Sequence, residues 1–183
     1  MSKTIKVVIS GSFRKHLQFV DITLKKFIKS KIKVLAPLSA KAVNREKSFI
    51  YLRTDKKGKS AYVLEKEFIA NIKKADFLYV ANIKGYVGYS VAAEISTALL
   101  YGVPVLLSEK IREFSGKIPN STQKLFKNLS FAKLSIKEIT SHKISSLNLS
   151  NLKGYELIPR QRLLFLLLTR KLLNELKLAK IKK

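Results

Sequence analysis

Residues Lys74 to Glu109 read KADFLYVANIKGYVGYSVAAEISTALLYGVPVLLSE, and this stretch decides the fold. Phe77-Leu78-Tyr79-Val80-Ala81 is a short apolar run with charge before it and Asn82 after it, the pattern of a buried strand. A loop with Gly85 and Gly88 follows. Ser90 is placed to cap a helix whose Val91, Ile95, Ala98 and Leu99 share one face. Gly102 ends that helix, and Val103-Pro104-Val105-Leu106-Leu107 reads as a second buried strand. Strand, glycine loop, helix and strand make one βαβ unit.

Glu94 is the unusual residue of the unit. It stands near the start of a helix, just past a glycine loop at the carboxyl end of a strand, where open α/β sheets bind ligands. Glycines let backbone approach a ligand, and helix-start amides attract anions. Two readings stand at this point. Glu94 is either a carboxylate favoured by the helix dipole, at ~0.3–1 kcal/mol, or a catalytic one.

Working outward, Lys3 to Ser10 reads as a first strand, with Val7-Val8-Ile9 as its buried run. It opens into Gly11-Ser12-Phe13-Arg14-Lys15-His16. A glycine, a small hydroxyl and a cation directly after a first strand suit a phosphate or sugar cradle, or else form a plain turn with a solvated Arg14. Neither GxGxxG nor a Walker loop is present. Gln18 to Lys29 predicts an amphipathic helix and Lys33 to Ala36 a second strand, stopped by Pro37. Leu38 to Ser60 reads as a long basic loop over the same sheet end, and Ala61 to Lys73 as a helix with Leu64, Phe68 and Ile72 inward.

Past Glu109 the pattern weakens. Arg112 to Asn120 reads as loop, Thr122 to Asn128 as a short helix and Ala132 to Ile136 as an edge strand. The expected organisation is an α/β domain over residues 1–144, a polar linker over 145–158 and an amphipathic, basic helix over 159–183. The fold class is a flavodoxin- or Rossmann-like parallel sheet of about five strands flanked by helices. Pro159 starts the last helix, which is leucine-rich on more than one face. It must bury against the domain, a second subunit, an acidic membrane or nucleic acid.

The 183 residues suffice for one domain with a sizeable core, and 46% are hydrophobic. Cysteine is absent, which excludes disulfides and thiolate metal sites. The longest apolar run, Leu163 to Leu168, is too short to span a bilayer, and no signal-peptide pattern opens the chain, so a cytoplasmic location is expected. The net charge is +25, a balance that suggests a polyanion partner. Yet Ala61 to Glu109 holds only four lysines against five carboxylates. The excess is scattered lysine elsewhere, without a nucleic-acid recognition motif. No metal-spaced cluster or Ser-His-Asp order occurs, and the two histidines, His16 and His142, lie in no supporting motif.

Taken together, Gly11-Ser12-Phe13-Arg14 after a first strand, a strand ending in Ala-Pro, KKADFLYVAN and GYVGYSVAAEISTALLYGVPV resemble the nucleoside 2-deoxyribosyltransferase-like superfamily, which includes 2′-deoxynucleoside 5′-monophosphate N-glycosidases. The resemblance covers about Lys3 to Glu109; the phosphoribohydrolase group is a looser cousin. It implies cleavage or transfer at an N-glycosidic bond, without a cofactor or metal. Glu94 matches the family's nucleophile, which forms a covalent glycosyl intermediate. Asp76 is the implied acid that protonates the leaving base, with Glu67 as an alternative. Gly11, Ser12, Phe13 and Arg14 match the sugar and phosphate loop. Asn82, Gly85, Tyr86, Gly88 and Ser90 complete the implied substrate site. The implied partners are a nucleoside or nucleotide and further copies of the chain, at least a dimer. The chain departs from the family in three respects. No clear family acid lies between Pro37 and Ala61, unless Asp55 serves; the charge is atypical; and the C-terminal helix lies outside the pattern. The alternatives are a non-catalytic nucleotide-binding module and a basic protein associated with nucleic acid or membrane.

Overall fold

The computed structural model describes residues 4–44, 49–139 and 157–179. Arg45, Lys47, His142, most of the expected linker and the terminal Lys180, Lys182 and Lys183 lie outside them. Seven strands and five helices are described: β1 (Lys6–Gly11), α1 (Phe13–Lys29), β2 (Lys33–Ala36), α2 (Ala61–Ile72), β3 (Phe77–Ala81), β4 (Tyr86–Val87), α3 (Tyr89–Leu100), β5 (Val105–Leu107), β6 (Glu113–Phe114), α4 (Asn120–Asn128), β7 (Ala132–Lys133) and α5 (Pro159–Leu178).

The main sheet is parallel throughout, in the order β2-β1-β3-β5-β7. This is the flavodoxin-like order, and its reversal point lies between β1 and β3. Both central strands are buried on both faces, which is why their sequences are apolar runs and do not alternate. Their register pairs Val7 with Phe77 and Gly11 with Ala81, so the two chains leave the sheet side by side. Alternate residues feed two cores. Val8, Leu78 and Val80 pack with Val91, Ile95 and Leu99 of α3 and with Phe165 and Leu168 of α5. Val7, Ile9, Phe77 and Tyr79 pack with Val20, Leu24 and Phe27 of α1 on the other face.

Three local differences from the sequence expectation shape the site. α1 begins at Phe13 rather than Gln18, because Ser12 caps it by accepting from the Lys15 amide at 3.3 Å. The Gly11–Arg14 segment is therefore a one-residue turn followed by a helix start. Gly11 fits there because a Cβ would come within 2.8 Å of Val20 Cγ2, so α1 crosses close over the end of β1. α3 begins at Tyr89 with Gly88, not Ser90, in the cap position and with no side-chain cap. Its first amides thus lack a capping oxygen from the chain. Finally, β4 and β6 pair in parallel as a small second sheet beside the glycine loop, within a stretch expected to be only loop.

α5 is not a free tail. Phe165, Leu168 and Leu172 are buried, and Phe165 stacks on Phe126 of α4 with ring centroids 5.2 Å apart. Thr169 Oγ1 donates to Ala93 O of α3 at 3.4 Å. Of the uses open to a leucine-rich helix, packing on its own domain accounts for this face; Leu163 and Leu167 on the outer side stay exposed.

Candidate active site

A cavity of about 640 Å³ opens over the carboxyl ends of β1 and β2 and the start of α3. That volume lies in the range of sites for small ligands, and the place is the one the sheet order selects. Of the residues singled out in the sequence, Gly11, Ser12, Phe13, Arg14, Tyr86, Gly88, Ser90 and Glu94 line it.

Glu94 stands in the second turn of α3, facing the sheet. It is 6% exposed, and its Oε2 accepts a hydrogen bond from the Ser10 hydroxyl at the end of β1. Burial pushes its pKa up from 4.5 to about 7, and the Ser10 hydrogen bond partly offsets this by favouring the charged form.

The second carboxyl is Glu65, on α2. It is 5% exposed, lines the same cavity, and its Oε1 is buried with no hydrogen-bond partner. Burial raises its pKa well above the usual carboxylate value, and the Glu94 charge raises it further. Two buried carboxyls that feel each other do not both ionise readily near neutrality. Glu94, with its hydrogen bond, loses its proton first; Glu65 stays neutral to higher pH. The Glu65 signal was present in the sequence. Glu65, Ile69 and Ile72 share a helical stripe, and all three are buried, so a carboxyl occupies a core position. The sequence expectation puts Leu64, Phe68 and Ile72 inward; of these Leu64 and Phe68 line the cavity.

Three sequence-named residues are placed elsewhere. Asp76 precedes β3, at the opposite end of the sheet, where its Oδ2 accepts from the Lys6 amide at 2.8 Å. Asn82 is 1% exposed and ties the end of β3 to the chain after β5. Its Oδ1 accepts from Ser108 Oγ at 3.0 Å and from the Glu109 amide at 3.1 Å, and its Nδ2 donates to Glu109 O at 2.8 Å. Gly85 has φ 72°, and a Cβ there would lie 2.3 Å from Lys110 O, so it serves the approach of the 110–112 segment. Neither Asn82 nor Gly85 is among the lining residues, and the same holds for Asp76.

The alternative acids also line the cavity, in other company. Glu67 pairs with Lys59, and Asp55 accepts from the Leu52 amide at 2.7 Å. Tyr86 presents a ring that Lys15 Nζ covers at 3.6 Å from the centroid, with His16 edge-on to it. His16 has a buried, unpartnered Nδ1, and its pKa is lowered by burial, then by Lys15 and Lys84; it is not among the lining residues.

Cations and anions divide the wall. Arg14, Lys56 and Lys117 reach the cavity from three separate segments and are exposed. Yet five of the chain's 12 acidic residues line it as well. No group of three or more His, Cys, Asp or Glu among the described residues is placed to hold a metal ion. No described helix is long and apolar enough to cross a membrane. No protein-family model, curated protein or solved structure matches this chain.

Proposed function

We propose that this protein breaks the N-glycosidic bond of a nucleoside or nucleotide and passes the sugar, through a covalent intermediate on Glu94, to water or to a second base. The observation that carries this reading is the pair of buried carboxyls, Glu94 and Glu65, in one cavity at the sheet's reversal point. Glycosyl transfer needs two carboxyl groups in opposite protonation states, and environments that separate their pKa values assign the roles.

Glu94, ionised first, attacks the anomeric carbon and stabilises the positive charge that grows on the sugar. Ser10 holds the attacking carboxylate by its second oxygen. As the carbon–nitrogen bond breaks, its electron pair goes to the base, and Glu65 supplies the proton the base needs. In the second half, Glu65, now ionised, takes a proton from water as the water oxygen bonds to the anomeric carbon and Glu94 leaves. Both carboxyls return to their starting states. This gives Glu65 the role that the family resemblance implied for Asp76.

Ser12, Arg14 and the uncapped amides at the start of α3 offer a seat for a 5′-phosphate, since helix-start amides and a guanidinium both suit phosphate oxygens. The test is release of free base, followed by chromatography, from a panel of ribo- and deoxynucleosides and their 5′-monophosphates, with and without an acceptor base. Wild-type protein releases base from at least one member, and Glu94→Gln releases none. Equal behaviour of the two proteins across the panel overturns the enzyme reading and leaves a binding module.

A further inference from the structure

The C-terminal helix, which lies outside the resemblance, forms a wall of the cavity through Leu172, Glu175 and Leu176. Leu64 and Phe68 of α2 line the same cavity. The two helices thus both bring apolar side chains to it, the kind of surface a flat heteroaromatic ring prefers. On α5 one charged group, Glu175, stands between the two leucines. Glu175 carries a carboxylate in a chain with 37 cationic residues and only 12 acidic ones. It lies beside the Tyr89 side chain at the start of α3, where burial of the phenol, and then the Glu175 charge, push the Tyr89 pKa up to about 12. The Tyr89 hydroxyl is itself buried and, apart from the neighbouring Glu175 carboxylate, has no hydrogen-bond partner among the described residues. Tyr89 lies five residues before Glu94 on α3, about 7.5 Å along the helix axis at 1.5 Å per residue. The same step turns about 140° around the helix, and both side chains still line the one cavity.

We propose that Glu175 reads the base, accepting hydrogen bonds from its amino-bearing edge while Tyr89 offers a hydroxyl to the neighbouring ring nitrogen or carbonyl. Glu175 has this role only if the cavity handles N-glycosides as proposed above. A carboxylate is acceptor-only, so it favours adjacent N–H donors and repels carbonyl oxygens. Guanine, with two adjacent donors, fits best; adenine and cytosine, each with an amino group, follow. Hypoxanthine and uracil carry a carbonyl where the amino group was, or lack the group, and are disfavoured. An analogue without the amino group sets a carbonyl oxygen, or no donor at all, against the Glu175 carboxylate on the cavity wall.

The experiment measures kcat/KM for base release from matched pairs, guanine against hypoxanthine and cytosine against uracil nucleosides or monophosphates. Wild type, Glu175→Gln and Tyr89→Phe are compared. Wild type is expected to prefer the amino-bearing member by about tenfold or more, the value of a hydrogen bond to a charged group. Glu175→Gln is expected to bring the ratio toward one, and Tyr89→Phe to lower it in part. Glu175 is exposed, so the substitution leaves the core untouched. If base is released but the ratio is the same in wild type and Glu175→Gln, or wild type shows no preference, the Glu175 assignment falls and the glycosidic reading stands. If no substrate releases base, both fall.

Discussion

Replacing Glu94 by Gln is expected to stabilise the protein above neutral pH and to abolish the proposed base release. Burial lifts the Glu94 pKa from 4.5 to about 7. Between those values the folded chain holds a proton that the unfolded chain has lost, so stability falls as pH rises through that window. The penalty is absent below about pH 4.5 and complete above about pH 7. About 2.5 pH units at about 1.4 kcal/mol each gives about 3.5 kcal/mol. A Gln amide keeps an acceptor for the Ser10 hydroxyl, but its own N–H groups are left short of partners, at about 1 kcal/mol. The net expectation is a gain of about 2.5 kcal/mol at pH 8 and a loss of about 1 kcal/mol at pH 4.5. For a chain of this length the gain corresponds to an upward shift in Tm of about 5–10 °C. Thermal melts of wild type and Glu94→Gln from pH 4.5 to 8 measure it. A difference between the two proteins that does not change with pH refutes the buried-carboxyl reasoning. Glu65→Gln behaves in the same direction. The double substitution gains less than the sum of the two, because each single change also removes the repulsion on the other carboxyl.

For the proposed base release, the pH profile of kcat/KM is expected to be a bell whose rising limb lies near pH 7, as Glu94 ionises, and whose falling limb at higher pH reports Glu65 giving up its proton; a flat profile between pH 6 and 8 counts against the paired roles. Asp76→Asn keeps an acceptor for the Lys6 amide and leaves kcat within about twofold, whereas Glu65→Gln lowers it by about 10²–10⁴, as loss of a general acid does. Steady-state kinetics on both variants separates the acid at the sheet's far end from the one in the cavity. Phe165→Ala removes a fully buried ring that anchors α5 and costs about 3–5 kcal/mol in urea unfolding; a cost under about 1 kcal/mol means that α5 does not dock as described.

The scaffold was legible because its parallel strands announce themselves. Val7-Val8-Ile9 and Phe77 to Ala81 are apolar without alternation, as strands covered on both faces must be, and Pro37 and Gly102 punctuate the elements around them. Two-residue strands such as β4 and β6 leave no periodic trace, since two residues carry no period. α1 starts before its amphipathic pattern does because Phe13 to Leu17 are only partly buried or exposed, and Phe13 and Arg14 line the cavity.

Within the site, Glu94 stood out as a carboxylate beside a glycine loop. Glu65 hid among ordinary helix charges, and only its place on a buried stripe with Ile69 and Ile72 distinguished it. Asp76 carries the motif, but a residue before a parallel strand lies at the end of the sheet away from the cavity. The contribution of α5 depends on a long-range docking of Phe165, Leu168 and Leu172. Local pattern shows that such a helix must bury itself, and says nothing of where.

Under the proposed reaction, Glu94 forms a bond to the sugar. Incubation with a nucleoside whose 2-position carries fluorine slows release of the intermediate more than its formation. Acid quenching and peptide mass spectrometry then locate the adduct. The prediction is one glycosyl group on the peptide containing Glu94, lost in Glu94→Gln. Base release with no adduct on that peptide, or an adduct that persists in the variant, contradicts it.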